Sequence, residues 1–300
     1  MSSTRPQPST ITKSAFARLL QLYPEVQETA YKVKVKDPKK LATAQEDHDW
    51  RYEELPKLLV ERNSKSSSAY LDKGELVRLT QWKIVHGQHR PFLPGMVKKN
   101  EQERVKEVTS SAFDLQAGAS YSGIGIPESL DKALREAAQL HGIGPATATL
   151  ICSIYDPTNV CFFEDELAAW LCPDLPKLKY TWAEYKLLFT EIGKLRTRLG
   201  SDHKAVDIEK VGFVIGHLHM VDAKQQEALK SADQKEGEAE QNTKKESKPS
   251  AVLSNVSDSD DNPSKASKPR ASRTKRKGKA KEDIPAKQDD TNSKAKRRRK

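Results

Sequence analysis

Apolar positions recur at steps of three and four along most of the first 220 residues, and that period predicts helices. Between residues 72 and 88, Leu76, Leu79, Trp82 and Val85 mark one face, and Gly87 marks a stop. A second helix is expected over residues 101–115. A third covers 127–140 with Leu130, Ala133, Leu134, Ala137 and Leu140 on one side, and a fourth covers 145–155. Two longer segments follow. Residues 181–199 place Tyr185, Leu188, Phe189, Ile192, Leu195 and Leu199 inward, and residues 203–221 do the same with Ile208, Val211, Val214, Ile215 and Leu218. Gly212 and Gly216 interrupt the last of these, either weakening it or marking close packing against a neighbour. Residues 14–63 read as helix cut into pieces by Pro24, Pro38 and Pro56. No alternating stretch long enough for a strand and no internal repeat is present, so the expected class is all-α, a multi-helix domain.

The apolar pattern stops near residue 222. The last aromatic residue is Phe213, and from Asp222 onward the large apolar residues are Leu229, Val252, Leu253, Val256 and Ile284. Such a segment buries too little apolar surface to offset the entropy of ordering it, which predicts a disordered charged C-terminal tail. The expected organisation is an N-terminal helical segment (1–70), partly ordered, a helical domain (71–222) and the tail (223–300).

Charge follows the same division. The chain has 52 Lys+Arg and 42 Asp+Glu, a net charge of +10. Residues 1–230 hold 32 and 30 of these, and residues 231–300 hold 20 and 12, so the two parts carry +2 and +8. Within the tail, residues 231–261 are acidic at −4 and end in Ser257-Asp258-Ser259-Asp260-Asp261, where Ser257 and Ser259 suit acidophilic kinases. Residues 262–300 are basic at +12. There Lys275-Arg276-Lys277-Gly278-Lys279-Ala280-Lys281 and Lys294-Ala295-Lys296-Arg297-Arg298-Arg299-Lys300 resemble nuclear-import signals that an import receptor reads. The same blocks suit DNA or RNA without sequence preference. Phosphate added at Ser257 or Ser259 would weaken either role.

Several classes drop out. No apolar run approaches a membrane span, and residues 1–10 lack the apolar core of a signal peptide, so a soluble intracellular chain is expected. Cys152, Cys161 and Cys172 lie among apolar residues without C-x-x-C spacing, and are expected as core thiols in a reducing compartment.

Candidate chemistry concentrates in Leu140-His141-Gly142-Ile143-Gly144-Pro145-Ala146-Thr147-Ala148-Thr149. A helix ends at Leu140, two glycines permit a tight turn, and Pro145 takes the first position of the next helix, where its missing N–H costs nothing. Backbone N–H groups near Gly142 and Gly144 have no side chains to shield them, and the following helix end adds partial positive charge. A phosphate suits that place, contacted by Gly142, Ile143, Gly144, Ala146 and Thr147. Ile143 should turn inward and pin the hairpin. A glycine turn between two core helices with no ligand is the simpler alternative.

These residues resemble the helix-hairpin-helix motif of DNA-binding and DNA-repair proteins, whose fixed positions are matched by Leu140, Gly142, Ile143, Gly144, Thr147 and Ala148. The resemblance spans about residues 127–220, with the hairpin unit at 130–155. Leu79-Thr80-Gln81-Trp82-Lys83, Arg90-Pro91 and Phe162-Phe163-Glu164-Asp165-Glu166 also look like a group of eukaryotic, largely fungal, proteins of unassigned activity. In DNA glycosylases similar to endonuclease III or to the bacterial 3-methyladenine glycosylase, a catalytic aspartate follows the hairpin by about twenty residues. Asp165 lies 19 residues after Ala146. The resemblance implies that it would stabilise the cationic sugar or orient water as a base leaves. Bifunctional members carry a lysine two residues past the second glycine. Ala146 stands there instead, which removes Schiff-base chemistry from that position. Glu164, Asp165 and Glu166 equally suit a helix N-terminus, where carboxylates oppose the dipole and cap free amides.

Other polar and aromatic residues read more simply. His86 and His89 are expected as exposed helix-end histidines, and His217 and His219 face apart, so no metal site and no cofactor is expected. Trp82, Trp170 and Trp182 suit core packing, whereas Trp50 has a polar setting and Tyr121 lies in a loop where it could stack on a base. Lys32, Lys34, Lys36, Lys39 and Lys40 form the basic cluster of the first 40 residues, expected to be solvated. The reading that results is a nuclear, non-enzymatic protein binding DNA through the hairpin and the basic tail, in repair or chromatin. Two alternatives stay open: a monofunctional glycosylase using Asp165, and an adaptor in a chromatin complex with a vestigial hairpin.

Overall fold

The computed structural model describes residues 5–229 apart from Ser67, Pro176 and Ser201. Among the described residues the regular structure is helical, without strands. Eleven α-helices run in order: α1 (Lys13–Lys34), α2 (Pro38–Asp49), α3 (Leu55–Ser66), α4 (Lys73–His86), α5 (Leu93–Val97), α6 (Gln102–Ala117), α7 (Glu128–Ala137), α8 (Pro145–Tyr155), α9 (Asp165–Leu171), α10 (Trp182–Leu199) and α11 (Ala205–Gly216). The helix expected over 203–221 stops at Gly216 and continues only as a 3-10 turn, Leu218–Met220. Residues 223–229 add a further helical stretch.

Local chemistry sets several ends. Asp72 and Thr181 begin α4 and α10 with reciprocal capping boxes, each accepting from the third amide while Glu75 or Glu184 reaches back. Pro38 opens α2 at a position where its missing N–H is harmless. Pro24, expected to break the first helix, lies inside α1 on an exposed position. One lost backbone bond on the solvent side is outweighed by the buried face that includes Phe16, Leu19, Tyr23, Val26 and Tyr31, which packs against α11. Before Pro56, the backbone runs as a π-helical turn, Trp50–Glu54, in which the Leu55 N–H reaches the Trp50 carbonyl.

Helix α8 is the central element. Every residue from Ala146 to Ile154 is buried, as expected of a helix apolar on all sides. Helices α3, α6 and α7 pack on it, α6 packs on α7, and α11 packs on α1 and α9. Gly212 and Gly216 explain the last contact. A methyl group at Gly212 would meet Leu167 Cδ1 at 2.9 Å and its Cα at 3.0 Å, and one at Gly216 would meet Glu166 Cγ at 2.5 Å. The glycines mark close approach, one of the two readings open from sequence. Residues of the N-terminal segment share this core: Ile11, Phe16, Leu19, Trp50, Leu55 and Leu59 are buried in the same cluster as residues of α8 and α11.

Candidate nucleic-acid interface

The hairpin between α7 and α8 is built from both sides. Leu140 and Ile143 are buried, and the Ile143 amide donates to the Leu140 carbonyl at 3.1 Å. Gly142 adopts φ +83°, and a Cβ there would lie 2.9 Å from Met96 Cβ and 3.3 Å from the Val97 nitrogen, so α5 lies directly against the turn. Buried Asn100 then clamps it, donating to the His141 carbonyl at 2.9 Å and accepting from the His141 amide at 2.7 Å. Gly144 is the N-cap of α8 in extended conformation, with no side-chain cap, and Pro145 follows. Its carbonyl accepts from Thr147 and Ala148 at 3.0 and 2.9 Å. Among the described residues, the amides of Gly142, Gly144 and Ala146 donate to no protein acceptor.

A cavity of about 600 Å³ opens against this turn. Gly142, Gly144, Pro145, Ala146 and Thr147 form one wall. Lys83 from α4, the segment His89-Arg90-Pro91-Phe92, Leu93 and Met96 of α5, and Lys179-Tyr180 form the others. No carboxylate among the described residues lines it. Phe92 at the rim is 82% exposed. Arg90 stacks over the Tyr180 ring, 5.0 Å from its centroid. Lys83 is 8% exposed, and burial followed by the charge of Arg90 pushes its amine down to about 8.

Asp165 is adjacent to this cavity, at the start of α9. It accepts a hydrogen bond from the Tyr180 hydroxyl and lines a neighbouring cavity with Arg90, Lys177 and Tyr180, so Arg90 and Tyr180 border both. No side chain caps α9 by a hydrogen bond. The three carboxylates diverge instead. Asp165 meets Tyr180, Glu166 packs on Gly216 in the direction of His217, and Glu164 turns into the core.

Glu164 ends a buried polar chain that sequence reading missed. Its Oε2 lies 3.3 Å from His86 Nε2, the Tyr31 hydroxyl lies 3.1 Å from His86 Nδ1, and His48 Nδ1 is 3.5 Å from the same hydroxyl. His86 is therefore a core residue stacked between Trp82 and Phe213 (4.6 and 4.5 Å), which corrects the exposed helix end expected for it. A signal was present. A 3.6-residue period drawn from Leu76 and Leu79 passes through Lys83 and His86, and not through Val85. Burial, reinforced by Glu209, raises the Glu164 carboxyl well above the ordinary carboxylate range, and burial holds His86 neutral well below its ordinary value. A carboxyl raised in the folded state is stable below its unfolded value and costs stability as pH rises past it, because only the unfolded chain ionises. Glu164→Gln is thus expected to stabilise the protein by an amount that is smallest near about pH 4 and grows toward neutrality. Thermal unfolding of both forms across pH checks this, and a gap that shrinks with rising pH contradicts it.

The remaining candidates fall elsewhere. Tyr121 packs near Phe189 and lines a separate cavity with Tyr155 and Asp156, away from the hairpin. Trp50 is buried beneath Arg78, whose guanidinium carbon lies 4.3 Å from the ring centre. Trp82 and Trp170 are core residues, and Trp182 is partly buried. His89 is exposed at the cavity, and His217 stacks on Phe213 at 4.2 Å. Of the lysine cluster, Lys34 reaches the His86 and Gly87 carbonyls at the C-terminus of α4, where a cation opposes the dipole, and Lys32 pairs with Glu28 at 2.6 Å. The three cysteines are buried thiols. Among the described residues no group of three metal-binding side chains is present, and no helix is long and apolar enough to cross a membrane. Ser257, Ser259 and the basic blocks of the tail lie outside the described residues. Compared with protein family models, with curated proteins and with solved structures, the chain matches none of them.

Proposed function

We propose that the protein binds the backbone of duplex DNA, without reading base sequence, at the cavity beside Gly142 and Gly144. The observation that carries this is a convergence of charge. Residues 1–230 are near neutral at +2, yet Lys83, Arg90 and Lys179 gather, with His89 beside them, around the unbonded hairpin amides, and no carboxylate lines the cavity with them. Amides at a helix start and flanking cations together suit a phosphodiester. Phe92 supplies the exposed aromatic that a stacking or wedging contact needs beside such a site. The basic blocks at 275–281 and 294–300 add salt-dependent affinity and direct the chain to the nucleus through an import receptor, where the binding serves repair or chromatin.

The test uses a chain ending at residue 230, which removes the tail and keeps buried Leu229. Gly144 is the hairpin position to alter, because a Cβ there meets nothing within 4 Å. Gly144→Glu and Arg90→Glu are each expected to weaken duplex binding at every sequence tried, and to reduce the salt slope by about one for each phosphate that is no longer neutralised. Fluorescence anisotropy over a salt series reads both. Folded variants that bind like the parent overturn the proposal. A second reading, base excision by Asp165, has one observation in its favour, the Tyr180 contact that sets the carboxylate beside the cavity. It predicts release of a damaged base that Asp165→Asn abolishes while duplex binding remains.

A further inference from the structure

A second cavity, of about 380 Å³, opens away from the hairpin, between α3, α6 and the segments that follow α6 and α8. Leu59, Val60 and Ala119 supply apolar wall, and Gln116, Tyr121, Asp156 and Asn159 supply polar wall. Tyr155 adds a ring that lies flat against Phe113, with centroids 4.6 Å apart and planes 6° apart.

The hydrogen bonds of this lining are short of donors. Gln116 is 2% exposed. Its Nε2 donates to the Cys152 carbonyl at 3.0 Å, which fixes the amide, and its Oε1 is buried without a donor. The Tyr121 hydroxyl lies near both Gln116 and Asp156, yet completes a hydrogen bond with neither. Asp156 accepts from the Asn159 amide at 3.1 Å and from its side chain at 3.0 Å, but pairs with no cation among the described residues. Arg196 reaches only as far as Asn159 Oδ1, at 3.3 Å, and does not line the cavity. Burial, and then the charges of Asp114 and Asp156, raise the Tyr155 phenol, so the ring stands in negative surroundings. A buried acceptor without a donor keeps its full desolvation cost, and here three oxygen-bearing groups share that condition at one cavity. An alkylammonium answers all of them. It carries three N–H donors on a compact positive charge, and its methylene stem suits aromatic and aliphatic walls.

We propose that this cavity binds the primary ammonium of an alkyl chain, its N–H groups on Gln116 Oε1, the Tyr121 oxygen and the Asp156 carboxylate, and its methylenes along the Tyr155 ring. The site is independent of the hairpin and of the DNA reading. Two sources carry this chemistry, a lysine side chain of a peptide and a free diamine. Val60, 68% exposed, offers apolar contact to residues that flank a lysine.

The full-length protein is titrated with four probes, each followed by saturation-transfer NMR of the probe: Nα-acetyl-lysine methylamide, its Nε-trimethyl form, Nα-acetyl-norleucine methylamide and 1,4-diaminobutane. Because the acidic stretch 231–261 attracts any cation, the decisive reading is the difference between the parent and variants at the cavity. A primary ammonium is expected to bind the parent saturably and to bind Asp156→Asn at least about tenfold more weakly, the loss of a hydrogen bond to a charged group. Asparagine keeps an acceptor for the Asn159 amide, so the local turn survives. Tyr121→Phe should weaken binding by about two- to tenfold. Its unfolding midpoint should not fall, since the hydroxyl bonds to nothing in the unliganded protein, and a purely structural tyrosine would show the opposite pattern. The trimethyl form, which has charge but no N–H, should bind at least about tenfold more weakly than the lysine amide, and the norleucine amide not at all. Tighter binding of the lysine amide than of the diamine assigns the site to a peptide, and the reverse assigns it to a free amine. Trimethyl or norleucine probes that bind as tightly as the lysine amide overturn the proposal. So does the absence of saturable binding by either amine, or equal affinities in the parent, Asp156→Asn and Tyr121→Phe.

Discussion

Glu209→Ala is expected to destabilise the fold by about 3–5 kcal/mol, the cost of stranding a buried charge. For a domain of this size that lowers the unfolding midpoint by roughly 6–20 °C. Arg51 and Glu209 pair at 2.9 Å with side chains 2% and 1% exposed. The carboxylate is fully engaged. One oxygen accepts from Arg51 and from the Tyr52 hydroxyl at 2.8 Å, and the other accepts from the Phe162 amide at 3.0 Å. The guanidinium also donates to Ser153 at 3.2 Å and lies 3.9 Å from the Tyr52 ring centre and 5.0 Å from that of Trp82. One ion pair thus joins the π-helical turn after α2 to α8, α11 and the segment entering α9. Removing the carboxylate leaves the arginine charge, the tyrosine hydroxyl and the Phe162 amide without their acceptor. A double replacement of Arg51 and Glu209 by methionine should cost less than Glu209→Ala, since it removes both charges and fills the space. Calorimetry on the three forms decides. If the single change proves the milder one, the pair is not what holds these elements together.

Gly142→Ala carries the second large effect, and it acts on the site. At φ +83° an L side chain costs about 1–3 kcal/mol for the backbone alone. In addition its Cβ meets Met96 Cβ at 2.9 Å and the Val97 nitrogen at 3.3 Å, so either the turn or α5 must move. Two consequences are expected together: a lower unfolding midpoint, and weaker duplex binding because the amides of the turn lose their alignment. Gly144→Ala is the control. Its φ of −96° suits any residue and the space beside it is open, so only about 0.5 kcal/mol of capping preference is at stake. Equal losses at the two glycines would show that the turn is not held by its contact with α5.

How far the sequence led differs between helices and site. The faces of α7 and α10 coincide with the buried residues position by position, because each presents one stripe to one core and the 3.6-residue period records it. For α11 the period predicts a helix running on to Val221, but the glycines that let it approach α9 also bring it to its end at Gly216. The hairpin is visible through Gly142, Gly144 and Pro145, whose conformational roles are local. Its surroundings are not, since Asn100, Met96, Arg90 and Lys179 come from turns and a short helix without a periodic signal.

By itself, then, the sequence determined the helical class, the places of the main helices, and a glycine turn leading into a proline-initiated helix. Each of these depends on backbone preferences and on periodicity within a few residues. Tertiary structure alone decided which polar residues are inside and what faces the turn. Arg51 and Glu209 are 158 positions apart along the chain, and each reads as an ordinary surface residue until its distant partner offsets the cost of its burial, while His86 and Glu164, 78 positions apart, are brought within 3.3 Å of each other inside the core. Likewise, only the meeting of α4 with the hairpin places a helix lysine, Lys83, in the wall of the cavity beside the turn.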